Sequence, residues 1–266
     1  MDMSQFLPVS GEKPLDRIVT DGGYCGIFRT IACVGDSLSS GEFESTREDG
    51  TKAYHDIYDY SWGQYIARMA GCKVYNFSKG GMSAKAYCES FAGSQGFWDS
   101  DKAAQAYIIA LGVNDLYGQN QEIGSMSDVC FEDYNKNGAT YAGYYAKIIQ
   151  RYKEIQPDAK FFLMTFPYDT RKDEEWRPKG DAQRKLMYEM AKCFSNTYVL
   201  DIREYAPVYD EEFRKNFYLG GHMTPTGYIF TAKMVVSYID YIIRHNMQDF
   251  KQVGFIGTPY KNTIDI

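Results

Sequence analysis

An apolar run of the sequence enters a turn at Ile31-Ala32-Cys33-Val34-Gly35-Asp36-Ser37-Leu38. The run predicts a short buried strand, and Gly-Asp-Ser predicts a turn at the carboxyl end of that strand. In an open α/β sheet the ligand crevice lies beyond the carboxyl ends of the strands. Ser37 is therefore predicted to face that crevice from a loop, which makes its hydroxyl a candidate nucleophile.

Strand-like and helical patterns alternate along the rest of the chain. Strands are predicted at Ile31 to Gly35, Lys73 to Ser78, Ala106 to Leu111, Lys160 to Phe166 and Tyr198 to Ile202. Helices are predicted at Trp62 to Ala70, Ala139 to Ile155, Asp181 to Phe194 and Pro225 to His245, with a broken helical region from Ala84 to Ala104. This alternation predicts an α/β fold with a parallel sheet and crossover helices. We expect one domain over residues 1–266, with a core at 31–246 and an edge segment at 1–30.

The composition is typical of a soluble globular protein and disfavours several classes of partner. The 266 residues are 44% hydrophobic and 24% charged, and the net charge is −6. No basic arm or basic helical face is present, so a nucleic-acid partner is not expected. No stretch is long and apolar enough to span a membrane. Because Met1 to Pro8 lack the features of a signal peptide, we expect a cytoplasmic protein.

The six cysteines are far apart and form no C-x-x-C pair or metal-site spacing. They are Cys25, Cys33, Cys72, Cys88, Cys130 and Cys193. We interpret them as buried thiols in a reducing compartment, and we expect no metal site.

A nucleophilic serine needs a base, and the chain has only three histidines, His55, His222 and His245. His245 ends the last predicted helix, where a cation is favoured for structural reasons. His55 lies in an aromatic loop, which indicates packing or a substrate contact. His222 stands in Gly220-Gly221-His222-Met223-Thr224-Pro225, a flexible approach to a helix start. This loop makes His222 the candidate general base.

Two further loops are placed to donate hydrogen bonds to an oxyanion, since each follows a predicted strand. One is Asn76-Phe77-Ser78-Lys79-Gly80-Gly81-Met82-Ser83, where glycine lets a backbone N–H approach a ligand. The other is Gly112-Val113-Asn114-Asp115, where the asparagine amide is a donor. Either pattern alone is equally typical of an ordinary turn or helix cap.

Taken in order, these loops resemble the SGNH family of serine hydrolases, also called GDSL esterases and lipases. The resemblance covers about Ile31 to Ile243 and rests on Gly35-Asp36-Ser37-Leu38, Gly81, Gly112-x-Asn114-Asp115 and His222 before Gly227. It implies a flavodoxin-like, three-layer doubly wound sandwich with a five-stranded parallel sheet of order 2-1-3-4-5. It also implies that Ser37 is the nucleophile and His222 the base. The implied oxyanion hole consists of the Ser37 and Gly81 backbone N–H groups and the Asn114 side chain, with no cofactor.

One position departs from the family pattern, because the aspartate that usually precedes the histidine by three residues is Leu219 here. We therefore expect a Ser-His dyad in which a main-chain carbonyl at or near Leu219 orients His222. The carboxylates left as alternatives are Asp201, Asp210, Glu211 and Glu212.

The predicted activity is two-step hydrolysis of carboxylic esters through an acyl-enzyme on Ser37. The aromatic residues near predicted loop ends favour a short-acyl ester of a carbohydrate, because aromatic rings stack on sugar faces; they are Tyr54, Tyr58, Tyr60, Trp62, Tyr117, Tyr168 and Trp176. Specificity is expected from loops 41–60, 116–137 and 167–180. The alternatives are a lipid acylhydrolase or thioesterase, an acyltransferase, and a non-catalytic binding protein. A flavodoxin-like nucleotide binder is disfavoured, since no phosphate-binding glycine loop follows the first strand.

Overall fold

The computed structural model describes residues 3–171 and 173–264. The strands are β1 (Thr30–Gly35), β2 (Glu42–Thr46), β3 (Lys52–Asp56), β4 (Lys73–Ser78), β5 (Ala106–Ala110), β6 (Lys160–Met164), β7 (Thr197–Leu200), β8 (Tyr218–Leu219) and β9 (His222–Met223). The α-helices are α1 (Ser37–Ser40), α2 (Trp62–Ala70), α3 (Ala84–Ala86), α4 (Ala92–Ser94), α5 (Tyr141–Ile155), α6 (Asp173–Cys193), α7 (Ile202–Tyr205), α8 (Glu211–Phe217), α9 (Pro225–His245) and α10 (Met247–Phe250). A π-helical turn, Tyr87–Phe91, connects α3 to α4.

Five strands form a parallel sheet in the order β4-β1-β5-β6-β7. Counted among themselves along the chain, these five strands have the order 2-1-3-4-5, and the predicted α/β class is confirmed. The labels run higher because the hairpin β2–β3 lies between the first two sheet strands. This hairpin and the short hairpin β8–β9 are additions that the sequence patterns did not predict.

Alternating residues of β1 point to opposite faces of the sheet, and both faces are buried. Ala32 and Val34 belong to one hydrophobic core, whereas Ile31 and Cys33 belong to the other. The first core packs against α5 and α6, and the second packs against α2 and α9. A strand covered on both faces reads as a continuous apolar run, which explains the sequence of β1.

The start of α9 agrees with the prediction, whereas the start of α6 does not. The Thr224 side chain accepts a hydrogen bond from the Gly227 N–H, and Pro225 occupies the first turn, as helix starts favour. Helix α6 begins eight residues before the predicted Asp181 and contains Pro178. Its first turns are stabilised by packing, since the Trp176 ring stacks on Tyr117.

The cysteines are all free, and only Cys25 and Cys33 are fully buried. The prediction of six buried thiols is wrong for Cys193, which is exposed. It holds only in part for Cys72, Cys88 and Cys130, which are half-buried. In residues 3–171 and 173–264, no helix has the length and apolar character needed to cross a membrane.

Candidate active site

Ser37 is held at the end of β1 by residues close to it in the sequence. Strand β1 ends at Gly35, and Ser37 is the first residue of α1. The Asp36 side chain caps this helix by accepting a hydrogen bond from the Leu38 N–H at 3.1 Å. A Cβ atom at Gly35 would lie 2.1 Å from Ser39 Oγ, so only glycine lets α1 pack this closely. Because the first N–H groups of a helix lack intrahelical partners, the Ser37 N–H is a candidate donor to an oxyanion.

The aspartates of the two motifs are buried and stabilise the loops. Burial raises the pKa of Asp36 to about 7, although the hydrogen bond from the Leu38 N–H opposes this change. Burial likewise raises the pKa of Asp115 to about 6, against hydrogen bonds from the N–H groups of Ala84 and Lys85. The Ala84 N–H lies 2.9 Å from Asp115 Oδ1, so this carboxyl connects the Asn114 loop to the start of α3.

The three candidate oxyanion donors lie on segments that follow β1, β4 and β5, and these three strands end level with one another. In the sheet register, Gly35 is opposite Ser78 on one side and Ala110 on the other. Gly81 adopts φ +72°, a conformation that favours glycine. Asn114 Nδ2 donates to the carbonyl of Met82 at 2.9 Å, which joins the loop of Gly81 to the loop of Asn114.

His222 lies in β9, and its ring nitrogens face carboxylates of β2. Nε2 is 2.9 Å from Glu42 Oε1, and Nδ1 is 3.9 Å from Glu44 Oε2. Nδ1 is buried and has no hydrogen-bond partner within the described residues. The ring of Tyr54 meets the imidazole edge to face at 5.6 Å. In the described part of the chain, no hydrogen bond joins His222 to Ser37.

The surroundings of His222 favour its neutral form, which a general base needs. Burial lowers the pKa of His222, while the nearby carboxylates of Glu44 and Asp56 act in the opposite direction. Burial also raises the pKa of Glu42, and Asp56 adds to this effect. Glu44 differs, because hydrogen bonds from Lys52 and the Gly221 N–H lower its pKa. Glu44 thus supplies a stable negative charge beside the imidazole.

The expectation of a carbonyl partner for His222 is not met, since carboxylates that the sequence analysis missed face its nitrogens. The alternatives considered there are engaged elsewhere. Asp201 is buried and paired with Arg184 at 2.6 Å, and Asp210 caps α8. Glu211 and Glu212 are exposed in the first turn of α8. The missed signal was the alternation Glu42-Phe43-Glu44, which places both carboxylates on one face of a strand.

A cleft of about 240 Å³ opens beside Ser37, and we call it the main cleft. Its lining brings together Ser37, Asn114 and Gly221, the neighbour of His222. An adjoining, mostly apolar inner cavity of about 60 Å³ shares lining residues with the main cleft; these are Asp36, Leu38, Val113, Phe166 and Pro167. The arrangement places Ser37 at the main cleft, next to residues that also line a small apolar cavity.

The remaining candidates divide between this site and the scaffold. Tyr117 and Trp176 line the main cleft and stack with ring centroids 4.5 Å apart. Trp62 is buried in the core and lines the inner cavity. His55 is exposed, with Nε2 2.8 Å from Ser45 Oγ on the adjacent strand, and His245 Nδ1 lies 2.9 Å from the carbonyl of Tyr241. Within the described ranges, no group of three or more His, Cys, Asp or Glu side chains is arranged to hold a metal ion.

Comparison with known proteins identifies one family and several structures of the same fold. The sequence model of the GDSL-like lipase/acylhydrolase family matches residues 33–229. No curated protein matches the chain significantly.

Three solved structures illustrate the shared fold. A family two carbohydrate esterase from Clostridium thermocellum, in complex with cellohexaose, is 15% identical, with TM-score 0.55 over 91% of this chain and 67% of its own. A family 3 carbohydrate esterase from the same organism is 15% identical, with TM-score 0.52 over 81% and 97%. A protein from Lactobacillus plantarum is 14% identical, with TM-score 0.60 over 80% and 97%.

Proposed function

This chain belongs to the GDSL-like lipase/acylhydrolase family, a family of ester-hydrolysing enzymes, and we propose that it hydrolyses carboxylic esters through an acyl-enzyme on Ser37. The observation that carries the proposal is the shared lining of the main cleft, where Ser37, Asn114 and the neighbour of His222 meet. These residues come from loops that are far apart in the sequence. Their convergence on one cleft is what acyl transfer requires.

In the first step, Ser37 Oγ attacks the ester carbonyl and His222 accepts the hydroxyl proton. The negative charge on the carbonyl oxygen is held by the backbone N–H groups of Ser37 and Gly81 and by the amide of Asn114. An asparagine amide has two N–H donors. One of them binds the Met82 carbonyl and fixes the group, which leaves the other for the oxyanion.

The carboxylates of β2 take the part of the aspartate that Leu219 replaces. A single ring nitrogen cannot bind Glu42 and accept the Ser37 proton together. In the reacting complex the ring therefore turns, or it uses Nδ1. In both arrangements Glu42 and Glu44 lie beside the imidazolium that forms and stabilise its charge. Glu42 is thus a positioning residue for His222.

The second half of the reaction reverses these roles. The His222 imidazolium gives its proton to the leaving alcohol, which departs and leaves the acyl group on Ser37. A water molecule then attacks the acyl carbonyl while His222 accepts one of its protons. Collapse of this second oxyanion returns the proton to Ser37 and releases the carboxylic acid.

The substrate that fits the site best is a short-acyl ester of a carbohydrate. The inner cavity of about 60 Å³ has room for a few water-sized groups, which suits an acetyl group better than a fatty acyl chain. The stacked pair Tyr117 and Trp176 offers an aromatic wall to a sugar in the main cleft. Two carbohydrate esterases among the proteins of the same fold support this choice.

The test is hydrolysis of 4-nitrophenyl acetate, butyrate and octanoate by the wild type, Ser37→Ala and the control Ser90→Ala. Ser90 is exposed on the helical turn after α3, away from the main cleft. We expect kcat/KM to fall from acetate to octanoate, and to fall about 10⁴-fold or more in Ser37→Ala alone. Equal rates in the wild type and Ser37→Ala would overturn the proposal in favour of a binding protein.

A further inference from the structure

The hairpin β2–β3 presents two carboxylates side by side toward the candidate site. Glu42 and Asp56 are directly opposite each other in the antiparallel register, so their side chains extend from the same face of the hairpin. Glu42 Oε1 lies 2.9 Å from His222 Nε2. Asp56 Oδ1 accepts a hydrogen bond from Ser40 Oγ, in the helix that Ser37 begins. One end of the hairpin therefore contacts both the candidate base and the helix of the candidate nucleophile.

Both carboxylates also reach Gly80, which precedes the candidate oxyanion donor Gly81. The Gly80 N–H donates to Asp56 Oδ2 at 3.5 Å. A Cβ atom at position 80 would overlap Glu42 Oε2 and lie 3.0 Å from Glu42 Cδ. The Glu42 carboxylate thus contacts His222 with one oxygen and lies against Gly80 with the other.

The backbone of Gly80 does not itself require glycine. Gly81 has φ +72°, whereas the φ of Gly80 lies outside the left-handed region. A side chain at position 80 is excluded by the carboxyl group of Glu42, which is the end of a flexible side chain. The main chain of Glu42 is fixed, since its carbonyl accepts a hydrogen bond of 2.6 Å from the Tyr228 hydroxyl. A methyl group at position 80 is therefore accommodated most easily when the Glu42 side chain turns away.

The other charged groups that face His222 come from the same hairpin. Glu44 and Asp56 raise the pKa of His222, whereas Lys52 lowers it and burial lowers it most. The three heavy atoms nearest to a Cβ at position 80 all belong to Glu42. A methyl group there therefore displaces Glu42 first and leaves the other three charges in place.

We propose that Gly80 is a positioning residue, because it admits the Glu42 carboxylate that couples His222 to the loop of the oxyanion donor. The inference rests on the proposed function, in which His222 is the base and the Gly81 N–H an oxyanion donor. Acyl transfer needs the base and the oxyanion donors to act on one reacting group at the same time. A single carboxylate that contacts the base and lies against the donor loop sets the distance between them.

The experiment is a double-mutant cycle of Gly80→Ala and Glu42→Ala, with kcat/KM measured on 4-nitrophenyl acetate. Gly80→Ala alone is expected to lower kcat/KM about tenfold or more, because the new methyl group turns Glu42 away from His222. In the Glu42→Ala background the overlap is absent, so the same glycine substitution is expected to change kcat/KM less than about twofold. An equal loss in both backgrounds, or no loss in either, would overturn the proposal.

The pKa of His222 is a second readout, and it does not need turnover. NMR titration of the histidine rings measures it, with the His222 signals assigned from His222→Gln. We expect Gly80→Ala to lower the pKa of His222, since a carboxylate that stabilises the imidazolium moves away. An unchanged pKa would overturn the proposal. If the wild type hydrolyses no ester, a lowered pKa in Gly80→Ala would still uphold the positioning of His222 while the proposed catalysis fails.

The control is Gly254→Ala, because Gly254 is exposed and a Cβ atom there meets nothing within 4 Å. This variant is expected to keep the kcat/KM and the His222 pKa of the wild type. Gly80→Ala is expected to keep the urea midpoint of the wild type, since only the end of a flexible side chain has to move. A lower midpoint with an unchanged His222 pKa would make Gly80 purely structural and would overturn the proposal.

Discussion

Ser37 and His222 are positioned by supports of very different range. The supports of Ser37 are its neighbours, since Asp36 caps the helix that Ser37 begins and Gly35 lets that helix approach. The loop of His222 depends on distant residues, as the bond from the Gly221 N–H to Glu44 spans 177 residues of sequence. A candidate nucleophile of this kind is readable from a short motif, whereas the surroundings of the candidate base form only after the hairpin β2–β3 has packed against β9.

The strongest test of this comparison is to remove the charge of Glu42, a carboxylate that is far from His222 in the sequence but contacts it in the fold. Glu42→Gln keeps the size of the side chain but removes the charge 2.9 Å from His222 Nε2, and we expect kcat/KM on 4-nitrophenyl acetate to fall about 100-fold. The control is Glu48→Gln at the exposed tip of the same hairpin. A loss of less than twofold in Glu42→Gln would show that the long-range support is not needed for catalysis.

The pH dependence of kcat/KM is a second test of this support, because a carboxylate with a purely structural role would leave the pH dependence unchanged. In the wild type, activity is expected to fall as the pH drops through the pKa of His222, which burial lowers. Since Glu44 opposes that lowering, Glu44→Gln is expected to move the acid limb to still lower pH. If the acid limb of Glu44→Gln coincides with that of the wild type, Glu44 does not influence the pKa of His222.

The short-range side of the comparison is tested by Gly35→Ala. The new Cβ would lie 2.1 Å from Ser39 Oγ and 2.5 Å from Ser39 Cβ, so α1 has to move. We expect unfolding in urea to show a loss of about 1–3 kcal/mol, with reduced activity since α1 carries Ser37. Gly93→Ala is the control, because a Cβ there meets nothing within 4 Å. Equal stability of both variants would contradict the close packing of α1.

The smallest effect is expected from Asp36→Asn, which keeps a helix-capping side chain and removes a buried charge. The folded state raises the pKa of Asp36 from 3.8 to about 7. It therefore holds this proton more tightly than the unfolded chain does, and the wild type loses stability as the pH rises between these values. We expect the stability of Asp36→Asn in urea unfolding to change less between pH 4 and 8 than that of the wild type, since the variant lacks this titrating carboxyl. If the free energy of unfolding changed with pH in the same way in both proteins, Asp36 would not have a raised pKa in the folded state.

The sequence predicted the parts of the molecule that local rules determine. The bounds of β4, α2 and α9 follow from periodicity and from caps such as Thr224, and the Gly-Asp-Ser turn lies where the run of β1 ends. The start of α6 was missed because Pro178 and its polar neighbours are typical of a loop. Stacking of Trp176 on Tyr117 is a tertiary contact that no local pattern shows.

The same dependence on tertiary contacts explains why the sequence analysis missed the carboxylates beside His222. Leu219 correctly signalled that the usual aspartate is absent, but the carboxylates considered in its place were chosen for being near His222 in the sequence or after a strand. Glu42 and Glu44 are close to Ser37 in the sequence and reach His222 only through β2. The pairing of two hairpins is decided by the whole fold, and the sequence does not state it.

The two ends of the hairpin β2–β3 are joined by a hydrogen bond from the Ile57 N–H to the Gly41 carbonyl, at 3.0 Å. The chain thus leaves and re-enters the scaffold at nearly the same point, and what lies between is a replaceable cassette. Because Glu42 and Glu44 lie on this cassette, changes in it are expected to alter the surroundings of His222 while Ser37 and the five-stranded sheet keep their places. Grafting hairpins from related hydrolases onto this position is accordingly a route to variants that work at different pH.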